Sequence, residues 1–399
     1  MALPSTDVLV IGGGPAGLAT AIHARLAGFS VRVLERSRPP LDKACGEGLM
    51  PDAVRQLEAL GVKLAADECR PLRGIRYIDG DLVAEGAFPQ ESGLGVRRLH
   101  LHRALAARAA AVGVDLRWGV AATGLSEMDS GPARRHGAEY RVAGAATDQG
   151  LVPARWVVGA DGLLSRVRRW AALDGAASRG SASSSGGGRF GVRRHYACRP
   201  WSESVEVYWG ERCEAYVTPV GPDEVGVAIL WSGRKAGFDS LLAEVPALAG
   251  RLAGAPRSSS DRGAGPLAQR VRGVRHGNVA LVGDAAGYLD AITGEGIAVA
   301  LHQAAALVAA LRTAHGAHGG DGLAAYAAAH RRIGRLPAAM TGLVKGLDRW
   351  TWLRRRALRA LAAEPALFCR LLGLHARTLP VSRVGVGTAL RLACRLVVA

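Results

Sequence analysis

The sequence predicts an α/β protein: a parallel sheet of the nucleotide-binding kind, an inserted antiparallel sheet and a helical C-terminal region. Three observations carry this. Asp7–Ile11, a Gly-rich turn, Ala16–Ala27 and Val31–Leu34 follow one another as strand, turn, helix and strand. Ser204–Trp209, Ala215–Thr218 and Val225–Trp231 alternate as antiparallel strands do, with turn-rich residues between them. From Arg331 onward only helical patterns remain. The 399 residues exceed one ordinary core and suggest two to three subdomains of about 100–200 residues each. Nearly half the residues are hydrophobic, which excludes a disordered chain, and the 53 glycines have no three-residue period, which excludes collagen.

The opening turn is Gly12-Gly13-Gly14-Pro15-Ala16-Gly17, a G-x-G-x-x-G between a strand and a helix. Gly12 permits the tight turn, Gly14 lets the backbone approach a pyrophosphate, and Gly17 allows close helix packing. Ala16 starts the helix, whose first amides face an anion. Glu35 and Arg36 close the second strand; Glu35 lies 18 residues after Gly17, where an acid accepts ribose hydroxyls. A Gly-rich turn alone is weak evidence. With strand, helix and acid in register it predicts a Rossmann-like dinucleotide site, and its place at the start of the chain favours FAD over NAD.

Further along, His102–Val112 reads as an Ala/Arg helix, Val114–Trp118 and Trp156–Gly159 as strands, and residues 174–189 as a Gly/Ser-rich connector. Val279–Val282 is another short buried strand. The apolar run Ile297–Leu311 falls short of the ~20 residues that cross a bilayer and is expected to be a core helix. Met1–Ala24 lacks a basic start and is broken by glycines, so no signal peptide is expected. Six cysteines without a C-x-x-C or metal-ligand spacing point to a reducing, cytoplasmic compartment and to no metal site.

Val158-Gly159-Ala160-Asp161-Gly162-Leu163-Leu164-Ser165-Arg166 resembles the "DG" motif of flavoprotein hydroxylases. Val282-Gly283-Asp284-Ala285-Ala286-Gly287 resembles their "GD" motif. With the opening turn, the chain from Asp7 to about Leu311 resembles the class A flavoprotein monooxygenase superfamily. That resemblance implies a Rossmann-like FAD-binding domain of the glutathione-reductase type, made of residues 1–75, 95–172 and 270–330. It implies a substrate domain of residues 76–94 and 173–269, followed by basic C-terminal helices over 331–399. Asp284 would bind a flavin ribose hydroxyl. Gly294, Glu295 and Gly296 would present helix-end amides to the flavin ring, Arg98 would contact the adenosine or pyrophosphate, and Asp161 would serve FAD and NAD(P)H. Asp161 and Asp284 also suit plain turn formation.

Lys43-Ala44-Cys45-Gly46-Glu47-Gly48-Leu49-Met50-Pro51 resembles the geranylgeranyl-reductase-like branch, where the segment lies beside the flavin ring. Gly46 and Gly48 let backbone approach a flat ring. Cys45 could act as a weak acid and Glu47 could relay a proton; equally, Cys45 could be a small buried apolar residue and Glu47 could bind a local amide. Trp201, Tyr208, Trp209, Tyr216 and Trp231 cluster in the antiparallel half and suggest an apolar aromatic pocket. Trp350-Thr351-Trp352 resembles the W-x-W of flavin-dependent halogenases, but Leu353-Arg354 follows where those enzymes have Ile-Pro, so halogenation is not expected.

The expected activity is an NAD(P)H- and O2-dependent hydroxylation of a hydrophobic, lipid-tailed aromatic or polyketide substrate. The alternative is saturation of isoprenoid double bonds. The formal net charge of +17 is uneven: residues 331–399 carry 14 Lys/Arg against two acids. Leu343, Leu347, Trp350, Leu353, Leu358 and Leu361 mix there with arginines, as in an interfacial helix on anionic lipid; a solvated helical cap is the plainer alternative. No nucleic-acid partner is expected, and the oligomeric state is not legible.

Overall fold

The computed structural model describes residues 5–128, 140–175, 188–316 and 322–380. The core of the central sheet is parallel, in the spatial order Val279–Leu281, Gly150–Gly159, Thr6–Ile11, Val31–Glu35, Asp115–Trp118. Val10 pairs with Val33 on one side and Val158 on the other, and Val158 pairs with Ala280. Thr6–Ile11 and Val31–Glu35 at the centre of the sheet are buried on both faces, which explains their Val/Leu-rich composition. Because the strands of this sheet core run parallel, their C-terminal ends share one edge. Gly12–Gly14, Glu35, Ala160-Asp161 and Gly283-Asp284 therefore meet there although far apart in sequence.

Helices Pro15–Leu26, Arg98–Ala111 and Gly296–Gly316 cover this sheet. The last is long and apolar enough to cross a membrane, yet it lies in the core: Leu301, Ala304, Leu307 and Leu311 are fully buried. The strand expected over Trp156–Gly159 begins at Gly150, because its first half pairs with Val142–Thr147 in an antiparallel ribbon that also holds Ala122–Glu127. The helix expected from His102 begins at Arg98. Most of the Gly/Ser connector, 176–187, lies outside the described residues.

A second sheet of seven strands runs in the order Arg262–Ala264, Arg189–Tyr196, Glu224–Ser232, Cys213–Gly221, Ser204–Trp209, Gly74–Asp79, Leu82–Ala87. All neighbours are antiparallel except Ser204–Trp209 with Gly74–Asp79. Its alternation separates two faces. Tyr208, Ala215, Val217, Val227 and Ile229 pack against Phe238, Leu241 and Leu248 of two short helices. On the other face Ile75, Val207 and Trp209 meet Leu358, Leu361, Phe368 and Leu372. A small third sheet, Gly48–Leu49, Gly93–Val96 and Cys69–Leu72, supports the segment after Cys45.

The chain ends in three described helices, Gly322–Arg349, Thr351–Ala363 and Pro365–His375. The last two lie over Leu82–Ala87 of the seven-stranded sheet, and Gly322–Arg349 packs on Gly296–Gly316; together they form a roof. Leu358 and Leu361 are buried in it, so much of the apolar face expected to meet a lipid surface is already covered by protein.

Candidate active site

One cavity of about 1230 Å³ runs from the edge of the parallel sheet to the space under the helical roof. Its near end is formed by Gly14, Pro15, Ala16, Arg36, Cys45–Gly48, Arg98, Asp161, Asp284, Gly294 and Gly296. The three sequence motifs thus converge on one space.

The turn geometry explains its glycines. Gly12 has φ +114°, and a Cβ there would lie 2.3 Å from the Ala160 carbonyl. A Cβ on Gly17 would lie 1.9 Å from the Gly12 carbonyl. Neither residue lines the cavity; both set the turn that does. At Gly14 a Cβ would meet only the Arg98 guanidinium, at 3.7 Å. Glu35 also faces the turn: Gly13 N–H donates to Oε2 at 2.9 Å and Ser37 N–H to Oε1 at 2.9 Å. Its oxygens therefore brace the Gly-rich loop, and it is absent from the cavity wall. His102 supports the same loop. Leu41 N–H donates to Nδ1, so Nε2 carries the proton and donates to the Gly13 carbonyl at 3.0 Å. Burial lowers the His102 pKa to about 4 and keeps it neutral.

Two polar groups at this end are unsatisfied. Arg98 is buried and its Nη1 has no hydrogen-bond partner. Burial raises the Asp284 carboxyl against the pull of Arg98 and Lys43; it stands half-buried on the cavity wall, and among the described residues it has no hydrogen-bond partner. A buried guanidinium left this way is costly, and the carboxyl beside it is open to a ligand. A pyrophosphate facing Arg98 and a ribose hydroxyl facing Asp284 would satisfy both. Gly46 and Gly294 (φ +68°) leave open space, for a Cβ on either would meet nothing within 4 Å. The 21-residue helix starting at Gly296 directs its first amides there. The residues fit FAD.

Not every expected residue reaches the cavity in the expected role. Asp161 lines it, but its carboxylate caps the helix Arg166–Trp170, accepting from Ser165 Oγ at 2.5 Å and from the N–H groups of Arg166 and Val167 at 2.6 and 3.1 Å. Glu295 turns away, buried, with Oε2 3.6 Å from His375 Nδ1. Glu47 has φ +60° and is 2 % exposed. Arg98 N–H donates to its Oε1 at 2.7 Å, and His195 Nε2 lies 2.5 Å from Oε2. Arg193 Nη1 donates to His195 Nδ1, which leaves the proton on Nε2 facing Glu47. Glu47 thus locks the turn and the start of the Arg98 helix. Cys45 does line the cavity, and burial pushes its thiol pKa up, with Arg98 opposing.

The far end is apolar: Ile75, Tyr77, Phe88, Val207, Leu358 and Phe368 are among its walls. Tyr77 stacks between Trp209 (5.1 Å) and Phe368 (5.7 Å). Of the five aromatics expected near substrate, Trp209, Tyr216 and Trp231 line the cavity; Tyr208 packs on the opposite face and Trp201 lies off the wall. Tyr216 marks the middle, its hydroxyl 2.6 Å from Glu214 Oε2 and 3.0 Å from the Ile292 carbonyl. One proton cannot serve both acceptors. The Tyr216 hydroxyl donates to Glu214, and burial raises the Glu214 carboxyl to about 8 against the pull of Arg189. Arg189 reaches Glu214 (3.0 Å), Asp290 (3.1 Å) and Asp348 (2.8 Å), joining sheet, cofactor-side loop and roof. Sequence reasoning missed this cluster; the signal was Glu214 two residues before Tyr216 on one strand face.

An FAD binding domain family model matches residues 5–228. The chain belongs to the FAD-binding flavoproteins. It shares its fold with solved flavoprotein monooxygenases and with a geranylgeranyl bacteriochlorophyll reductase-like protein. This flavoprotein is 31 % identical over 314 residues to a menaquinone reductase of Mycobacterium tuberculosis, covering 73 % of each chain. It is 28 % identical over 306 residues to digeranylgeranylglycerophospholipid reductase 1 of Methanothermobacter thermautotrophicus, again 73 % of each. A rifampicin monooxygenase of Streptomyces venezuelae shares 32 % over 180 residues, 41 % of this chain and 33 % of that one. Among solved structures, a flavoprotein/dehydrogenase from Cytophaga hutchinsonii superposes with a TM-score of 0.75 at 19 % identity, over 94 % and 93 % of the two chains. At that identity the likeness shows the fold alone. The flavoprotein is an FAD-dependent oxidoreductase by family.

Proposed function

We propose that this flavoprotein is a reductase that saturates carbon–carbon double bonds in the isoprenoid tail of a lipid, with NADPH or NADH as the source of electrons. The observation that carries the reading is the single cavity, continuous from the FAD-binding turns to an apolar chamber under the roof. Its volume exceeds the roughly 300–1000 Å³ of an ordinary ligand pocket, as a site for both a dinucleotide and a long tail requires. The two relatives matched over 73 % of this chain are named as reductases, of menaquinone and of a geranylgeranyl lipid.

Bound FAD supplies hydride chemistry at its ring. The chain supplies the rest. Arg98 and the helix-end amides at Gly296 hold anionic charge, Asp284 orients the ribose, and the Glu47 lock fixes the Cys45–Gly48 turn. Saturation also needs a proton, and Cys45, kept as a thiol by burial, holds one at Sγ on the cavity wall. Tyr77, Trp209 and Phe368 exclude water from the tail.

A hydroxylase is the second reading, favoured by the alignment with rifampicin monooxygenase. NADPH oxidation measured with and without O2 separates the two. Anaerobic conversion of a menaquinone or geranylgeranyl lipid to a product heavier by two hydrogens supports the reductase. A product heavier by one oxygen, formed only in air, replaces it with the hydroxylase.

A further inference from the structure

The roof carries a surface that its packing does not explain. Helix Gly322–Arg349 lines the cavity with Met340, Leu343, Val344 and Leu347, an i, i+3, i+4, i+7 stripe. Leu343 is on the cavity wall and yet 56 % exposed, so the chamber reaches the protein surface there. The helix ends at Arg349; Trp350, in the break before the next helix, is 49 % exposed, and Trp352, in the first turn of that helix, is 63 % exposed. Neither tryptophan lines the cavity. Leu289, also exposed, adjoins Asp290, whose carboxylate lies 3.4 Å from Lys345 on this helix.

The charge around this corner is mostly positive, and its acids Asp348 and Asp290 are already paired, with Arg189 and Lys345. Residues 349–359 contain Arg349, Arg354, Arg355, Arg356 and Arg359 and no acid. Arg354 points inward to Asp79 at 2.9 Å, but Arg349 is exposed, with its guanidinium over the Trp350 ring at 5.8 Å. Exposed tryptophans and leucine ringed by arginine suit the boundary between lipid headgroups and acyl chains. The polar face of a solvated cap would not need two bare tryptophans.

We infer that the Leu343–Trp350–Trp352 corner is a docking surface for an anionic lipid bilayer, seated at the mouth of the cavity. Trp350, Trp352 and Leu289 enter the headgroup boundary, Arg349 meets lipid phosphates, and Leu343 marks where a tail passes from membrane to chamber. The entry route rests on the proposed lipid-tailed substrate; the membrane contact itself does not.

Co-sedimentation of the purified, FAD-loaded protein with sucrose-filled vesicles tests it without any turnover. The probes are phosphatidylcholine vesicles with and without phosphatidylglycerol. The wild type is expected to sediment with the anionic vesicles, less so as salt rises. Trp350→Ser with Trp352→Ser should weaken binding on the order of tenfold or more, and Arg349→Gln roughly fivefold. Flavin content and thermal midpoint of these variants should match the wild type, which separates lost docking from misfolding. A wild type that ignores anionic vesicles, or variants that bind as it does, overturns the inference. So does light scattering that finds a dimer split by the tryptophan substitutions while vesicle binding is unchanged, because the corner would then join two copies of the chain. Vesicle binding without reductase activity would remove the proposed function and leave the docking surface standing.

Discussion

Glu214 gives the most direct test of the site's electrostatics. Three carboxyls, Glu214, Asp290 and Asp348, face two cations, Arg189 and Lys345. Charge balances if one carboxyl stays protonated, and burial selects the enclosed Glu214, raising it from 4.5 to about 8. The folded protein therefore holds the Glu214 proton more tightly than the unfolded chain does. The resulting stabilisation is complete below about pH 4.5 and is lost as pH rises through about 8. Its limiting slope is about 1.4 kcal/mol per pH unit, and over that window it reaches at most about 5 kcal/mol. Glu214→Gln keeps an acceptor for Tyr216 and has nothing to titrate. Urea unfolding of both proteins across this range cancels every other titrating group in the difference. The variant should gain on the wild type steadily as pH rises. Parallel stability curves, or a gap that widens toward acid, would refute the reasoning.

Gly17→Ala should abolish FAD binding, because its Cβ would sit 1.9 Å from the Gly12 carbonyl; a yellow, stoichiometrically loaded variant would contradict the turn geometry. Asp284→Ala should weaken FAD binding roughly tenfold to a hundredfold, read by equilibrium dialysis, while changing the stability of the apoprotein little, since the side chain holds no other group in place. Phe368→Ala should cost about 3–5 kcal/mol in urea unfolding, given its burial under Tyr77. Cys45→Ser should keep FAD and slow the reduction of the double bond; full turnover would remove Cys45 from the chemistry.

What the sequence reveals and hides follows from where each residue's partners lie. The parallel strands beside Gly12, Asp161 and Asp284 are legible because each motif is local, a strand with its turn and the residue at its tip. Arg189–Tyr196 is not read as a strand, because Arg193, Arg194 and His195 are polar in a buried element. Their partners, Asp42, Asp239, Asp261 and Glu47, lie far away in the chain. Glu47 fails for the same reason: nothing near it in sequence shows that His195 and the Arg98 amide engage both its oxygens. The third sheet escapes because its strands are two to four residues long and interrupted by glycine or proline. In the C-terminal region the helices are legible, but which leucines face the sheet and which face outward is decided only by packing.

The triple grip of Arg189 has a consequence for how such a protein diversifies. One guanidinium fastens the closing helices to the loop beside the cofactor, and Arg354 on Asp79 and Lys345 on Asp290 add to its hold, so the roof is a fitted half of the chamber. The electron-handling parts are written before residue 300, whereas Met340, Leu347, Leu358 and Phe368 are written after it. Substitutions in the late stretch can lengthen, shorten or bend the chamber while leaving the redox machinery untouched. Descendants of one ancestral flavoprotein could in this way inherit a fixed chemistry and a freely redrawn appetite for lipids.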